Sequence, residues 1–161
     1  MTGNQKASRP GALKILIALE AVFGVAGFAS GIPLVYDPSG KTMGLSLDLL
    51  KRTPVGDFFL VGLFFMAFYG LLPLLASYGL LTKKRWTWTD ILNKWTGELW
   101  GWTASVMVGV ILLLWIAFEL LTMGFLSGSG GVLQIAMAGL GVVMLALAAR
   151  SSVRASMRLP T

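Results

Sequence analysis

A chain of 161 residues that is 56% hydrophobic and only 12% charged cannot cover a soluble surface, because ordinary globular domains are about 25% charged. The net charge of +6 suggests nucleic acid, but in so apolar a chain a basic excess reports membrane topology, and no nucleic-acid partner is expected. With no cysteine and no histidine, the chain has no thiolate nucleophile, disulfide or imidazole base, and no histidine-ligated haem, zinc or di-iron site.

The apolar residues fall in blocks. A hydrocarbon core about 30 Å thick needs about 20 apolar residues in a helix, and four blocks meet that length. The first runs from Ile15 to Val35, between Lys14 and the turn Asp37-Pro38-Ser39-Gly40. It is longer than the core of a cleaved signal peptide, so it is expected to be a retained helix. The outer connection carries a short amphipathic turn, Ser46 to Arg52, closed by Pro54. The second span runs from Phe58 to Leu81 and contains Pro73, which removes an amide donor and predicts a kink.

Between the second and third spans, Trp88, Ile91, Leu92, Trp95, Leu99 and Trp102 recur at helical spacing. This predicts an amphipathic helix over 87–99 lying on the inner leaflet. Trp86, Trp88, Trp95, Trp100 and Trp102 are expected as interfacial anchors, where amphipathic rings favour the headgroup layer. The third span runs from Gly101 to Met123 and the fourth from Val132 to Ala149, joined by a tight turn over 127–131. The expected fold class is therefore an all-α membrane protein, a single four-transmembrane-helix bundle over 1–161 with short amphipathic interfacial helices.

Orientation follows from Lys and Arg. Lys6, Arg9, Lys14, Lys83, Lys84, Arg85, Lys94, Arg150, Arg154 and Arg158 fall on one side, and only Lys41, Lys51 and Arg52 on the other. Four spans with this bias predict a multi-pass inner-membrane protein with both termini cytoplasmic.

Helices in lipid associate through small residues. Gly27 and Gly31 stand at GxxxG spacing in the first span, and Gly101, Ser105 and Gly109 form a stripe in the third. These are expected to pack the bundle, with surplus smooth faces meeting another membrane protein. Two ionisable residues lie inside spans, Glu20 and Glu119. A charge there costs about 2.5–3.5 kcal/mol at the bilayer centre on insertion scales, so each is a candidate functional or partner-contact residue. They lie at opposite depths, which excludes a shared acid–base pair. Glu119 is expected to pair with Lys41, Lys51 or Arg52 at the outer interface. Glu20 is expected to be protonated, hydrogen-bonded inside the bundle, or paired with a basic residue of another subunit. Asp37 to Gly40 reads as turn chemistry rather than a metal or phosphate loop. No catalytic, cofactor-binding or metal-binding constellation is present, and no enzymatic activity is expected.

Gly31-Ile32-Pro33-Leu34, followed by Asp37-Pro38-Ser39-Gly40 and Met43-Gly44-Leu45, resembles a pattern in uncharacterised four-span actinobacterial membrane proteins. The segment from Leu126 to Gln134 adds to this likeness. The layout is also similar to a four-span accessory subunit of mycobacterial Mce-type lipid importers. That resemblance implies a non-catalytic subunit of a larger complex that transports lipid or fatty acid, with transporter permease subunits and lipids as partners. The alternative expectation is a small proton-coupled exporter, because four-span multidrug transporters resemble this chain in carrying a lone glutamate in the first helix, here Glu20.

Overall fold

The computed structural model describes residues 9–159, without the side chains of Trp88 and Leu92. The expectations placed on Lys6, Trp88 and Leu92 lie outside the described residues. Four long helices carry the fold: α1 (Gly11–Tyr36), α2 (Phe59–Thr82), then α4 (Trp100–Thr122) and α5 (Ser129–Ala149), with two short helices, α3 (Asp90–Thr96) and α6 (Ser151–Met157). All four long ones are apolar and long enough to cross a membrane. Helices suit such segments because hydrocarbon offers no partner for a free backbone amide or carbonyl. α1 begins four residues before the expected Ile15, at Gly11, because hydrogen bonding continues past the last hydrocarbon-soluble residue. Lys14 then rides on the helix, its apolar stem along the surface.

The seams between helices are built from glycine. On α1, a methyl group at Gly27 would run into the Tyr69 carbonyl of α2, and one at Gly31 into Met66 and the Gly62 carbonyl. Gly24 lies against the Leu74 side chain and, less closely, the Gly70 carbonyl. Pro73 explains part of this geometry. It has no N–H for the carbonyl four residues earlier, which is Tyr69. The helix answers with a π-helical segment over Phe65–Leu71 directly before the proline, so the expected kink takes the form of a local widening.

The stripe Gly101, Ser105, Gly109 does not serve one neighbour. Residues four apart drift by about 40° around a helix of 3.6 residues per turn. Gly101 therefore meets Gly79 of α2, Ser105 faces Glu20 of α1, and Gly109 lies against Leu145 and the Gly141 carbonyl of α5. All five small residues of the two motifs thus lie against neighbouring helices inside the bundle. Gly139 on α5 is different, with open space where a side chain would be.

One end of the bundle is closed by the chain itself. After Arg150 the tail turns back as α6, with Val153 and Met157 fully buried. Leu99 N–H donates to the Met157 carbonyl and Leu159 N–H to the Gly97 carbonyl, so the connection between α2 and α4 is paired with the tail. Arg154 reaches Glu98 at 3.3 Å and lies 5.3 Å over the Trp102 ring. Arg9, just before α1, donates to the Leu81 carbonyl at 2.9 Å. Both described chain ends and the 83–99 connection thus share one end of the bundle, as the basic residues predict.

The amphipathic helix expected over 87–99 is shorter than that. A 3-10 turn over Thr87–Thr89 leads into α3, which ends where Gly97 takes a left-handed conformation (φ 73°). Glycine there stops the helix without steric cost, and Glu98 and Leu99 are extended for pairing with the tail. Three expected anchors change role as a result. Trp100 is buried, stacked on Trp86 at 4.6 Å, and donates to the Lys84 carbonyl; Trp102 donates to the Ala148 carbonyl. Among the described rings of this cluster, Trp95 alone stands outward, 88% exposed, beside Ile91 at 82%.

Substituting Gly27 by alanine forces a methyl group against backbone that cannot turn aside, and is expected to destabilise the fold by about 1–3 kcal/mol. Gly139→Ala, in open space, is expected to leave thermal unfolding in detergent unchanged or slightly raised.

Candidate functional site

The two ends of the bundle are filled differently. Toward the end that holds the tail, Leu13, Leu16, Leu80, Leu112, Met144 and Met157 are fully buried in one core. Toward the other end, α1 and α5 present Ala26, Gly27, Ser30 and Gly130, whose side chains are too small to fill the space between four helices. A cavity of about 570 Å³ remains, within the range of about 300–1,000 Å³ usual for small-molecule sites. Ala26 and Leu133, both exposed, border it on α1 and α5, so it is open to the surface of the bundle rather than sealed.

Its roof is the connection between α1 and α2. Leu34, Leu50 and Phe58 form a second small core there, with Leu45, Leu49 and Val55 against it. Asp37 anchors this loop. One carboxylate oxygen accepts from the Ser39 hydroxyl (2.6 Å) and amide (3.2 Å), and the other from the Thr42 amide (2.9 Å) and hydroxyl (2.8 Å). These bonds, the Ser39 hydroxyl first, hold its carboxyl down at about 2. The Asp37 to Gly40 segment is thus a turn whose acid is fully engaged with its own loop. Phe58 N–H donates to the Pro38 carbonyl, and Gly40, in a left-handed conformation (φ 78°), lets the Phe58 ring lie against it.

The wall is aromatic. Phe64 stacks on Trp115 with ring centroids 4.4 Å apart, Phe65 stacks on Tyr69 at 5.1 Å, and Phe65 meets Trp115 edge-on at 5.4 Å. The π-helical segment of α2 carries Phe65 and Tyr69, so the widening before Pro73 also sets part of this wall.

The polar groups on the wall are few. Glu119 accepts from Trp115 Nε1 at 2.6 Å through one oxygen, and from Gln134 Nε2 at a longer 3.4 Å through the other. The Leu126 N–H donates to Gln134 Oε1 at 3.1 Å, which turns the amide so that its NH₂ faces Glu119. Tyr69 lines the cavity with its hydroxyl buried and without a hydrogen-bond partner among the described residues. An unmade bond of this kind costs about 1–3 kcal/mol.

The expected ion pair of Glu119 does not form. Lys51 instead pairs with Asp48 at 3.0 Å, both exposed, and among the described residues neither Lys41 nor Arg52 forms a salt bridge with Glu119. Neutral donors on its own helix and on α5 reach it where flexible loop cations do not. Glu20 is also placed differently from a partner-contact residue. It is 0% exposed, about 14 Å along α1 from Gly11 at 1.5 Å per residue, and accepts from Ser105 Oγ at 2.6 Å. Of the alternatives open for it, the hydrogen bond inside the bundle is the one found. It does not line the cavity, and the two glutamates remain at different depths. No group of three or more His, Cys, Asp or Glu able to hold a metal occurs among the described residues.

Sequence reasoning singled out Glu119 but missed Trp115, Gln134 and Tyr69. A signal existed for two of them: Trp115 stands four residues before Glu119, the spacing at which helical side chains meet, and Gln134 is an amide inside an apolar span. Comparison with protein families, with curated proteins and with solved structures finds no match. Fold and site together define a multi-pass helical membrane protein of four spans, with an apolar cavity between them that carries, among the described residues, one carboxylate.

Two outcomes are expected. The Asp37 carboxyl is held below its ordinary value of 3.8, so its contribution is present above that pH and lost as pH falls through about 2. Amide protection of Ser39 and Thr42, corrected for intrinsic exchange, should therefore persist at pH 4 and collapse near pH 2. Ser105→Ala, which strips Glu20 of its hydrogen-bond donor, should destabilise by about 1–3 kcal/mol. Adding Glu20→Met to it should recover most of that loss, since replacing both partners by apolar groups is nearly neutral; denaturant titration in micelles reads both.

Proposed function

We propose that the protein is a non-catalytic component of the cytoplasmic membrane that holds a hydrophobic ligand in this cavity, as an accessory subunit of a larger assembly handling lipid. The carrying observation is the cavity itself: about 570 Å³, walled by apolar and aromatic side chains and bordered by exposed Ala26 and Leu133. Apolar volume reached from the side of a helical bundle suits a ligand already dissolved in the bilayer. Cytoplasmic termini are supported by the basic residues gathered at one end, Arg9, Lys83, Lys84, Arg85, Arg150 and Arg154 among them.

A permease partner has less surface to use than the glycine spacing suggested. Surfaces open to it include the side of α5 at Gly139 and the ledge carrying Ile91 and Trp95. The exporter reading built on Glu20 has less support than the binding reading, because Glu20 is sealed against Ser105 and stands apart from the cavity.

Native mass spectrometry of the protein extracted in mild detergent tests the proposal. A hydrophobic adduct should stay with the wild-type chain and be lost from Ala26→Trp, whose indole would occupy the opening. A chain that carries no adduct, and takes up no added decanol, would count against it.

A further inference from the structure

Among the described residues that line the cavity, Glu119 is the only Asp, Glu, Lys or Arg. Both of its oxygens accept hydrogen bonds, which fixes the orientation of the carboxylate at the cavity wall. Its donors, Trp115 and Gln134, are neutral, so they orient the carboxylate without cancelling its charge. Within the same cluster the Tyr69 ring lies 6.4 Å from that of Trp115, and its buried hydroxyl has no hydrogen-bond partner among the described residues. A ligand headgroup beside Glu119 meets its carboxylate and aromatic rings whose faces attract cations.

These features select by sign. An anionic headgroup, such as a fatty-acid carboxylate, would be brought beside Glu119 in a water-poor site where like charges repel strongly. An alcohol would fit without gain from the charge. A protonated amine supplies positive charge and N–H donors to Glu119, while its chain occupies the apolar volume. We propose that the cavity is a binding site for single-chain amphiphiles carrying a protonated amine, with Glu119 as counter-ion. This rests on the cavity being a ligand site at all, and it turns the expected fatty-acid cargo into a cationic one.

The test uses three probes of equal chain length, decylamine, decanol and decanoate, in equilibrium dialysis at pH 7. The full chain is held in phosphatidylcholine nanodiscs, and empty nanodiscs are subtracted. Decylamine should bind about tenfold more tightly than decanol, with decanoate weakest. Glu119→Gln, which keeps an oxygen for Trp115 Nε1, should bring decylamine down to the level of decanol and leave decanol within about twofold. If the three probes bind alike, if decanoate binds best, or if Glu119→Gln leaves the preference for amine intact, the counter-ion assignment is wrong while the cavity remains a ligand site. If none binds above empty nanodiscs, the ligand-site reading itself fails. Should Glu119→Gln not fold, the wild-type ranking of the three headgroups decides alone.

Discussion

Backbone meets backbone where α1 crosses α2, and the rest of the molecule follows from that contact. In lipid, apolar side chains gain little by leaving their surroundings for one another, so helices are held by close van der Waals approach. Gly24, Gly27 and Gly31 allow it against Gly62, Tyr69 and Gly70. Gly27 lies against the Tyr69 carbonyl, the one that Pro73 leaves without its α-helical donor. The glycine seam and the π-helical segment before Pro73 are therefore parts of one arrangement. It also carries Phe65 and Tyr69 to the cavity wall.

From this seam the bundle develops a difference between its ends. At the end where the chain enters and leaves, helix packing is dense, and the tail folds under it with Arg154 held by Glu98 and the Trp102 ring. Glu98 is almost fully buried there, so removing Arg154 would leave its carboxylate without a cation away from water. At the opposite end, small residues on α1 and α5 leave volume unfilled, and a loop clamped by Asp37 covers it. One end is built for rigidity, and the other keeps space beneath a roof.

The two intramembrane glutamates illustrate how environment separates residues of one type. Glu20 is enclosed, bonded to a hydroxyl across a helix interface, and belongs to packing. Glu119 is oriented by an indole and an amide and left facing a cavity. Of the two, Glu119 is the one that faces the cavity, and it is not the residue that a lone glutamate in the first helix would suggest.

Much of this was legible in the amino-acid order. The four spans, their limits to within a few residues, and the gathering of the basic segments at one end follow from hydrocarbon length and from charge, which act locally and add along the chain. That Gly27, Gly31, Gly101 and Gly109 would pack helices was also readable, because only glycine permits such approach. Which helix each would meet was not, since a drift of about 40° per four residues sends one stripe toward three neighbours. Trp100 and Trp102 read as headgroup anchors because composition cannot distinguish a ring facing lipid from one facing a carbonyl in the next helix. The cavity could not be read at all: empty volume belongs to no residue, and it arises only when the small side chains of α1 and α5 meet at the same depth between four helices. Composition thus determined the solvent this chain lives in and how often it crosses it. Tertiary packing alone decided where space was left and which acid faces it, because both depend on distances between segments far apart in the chain.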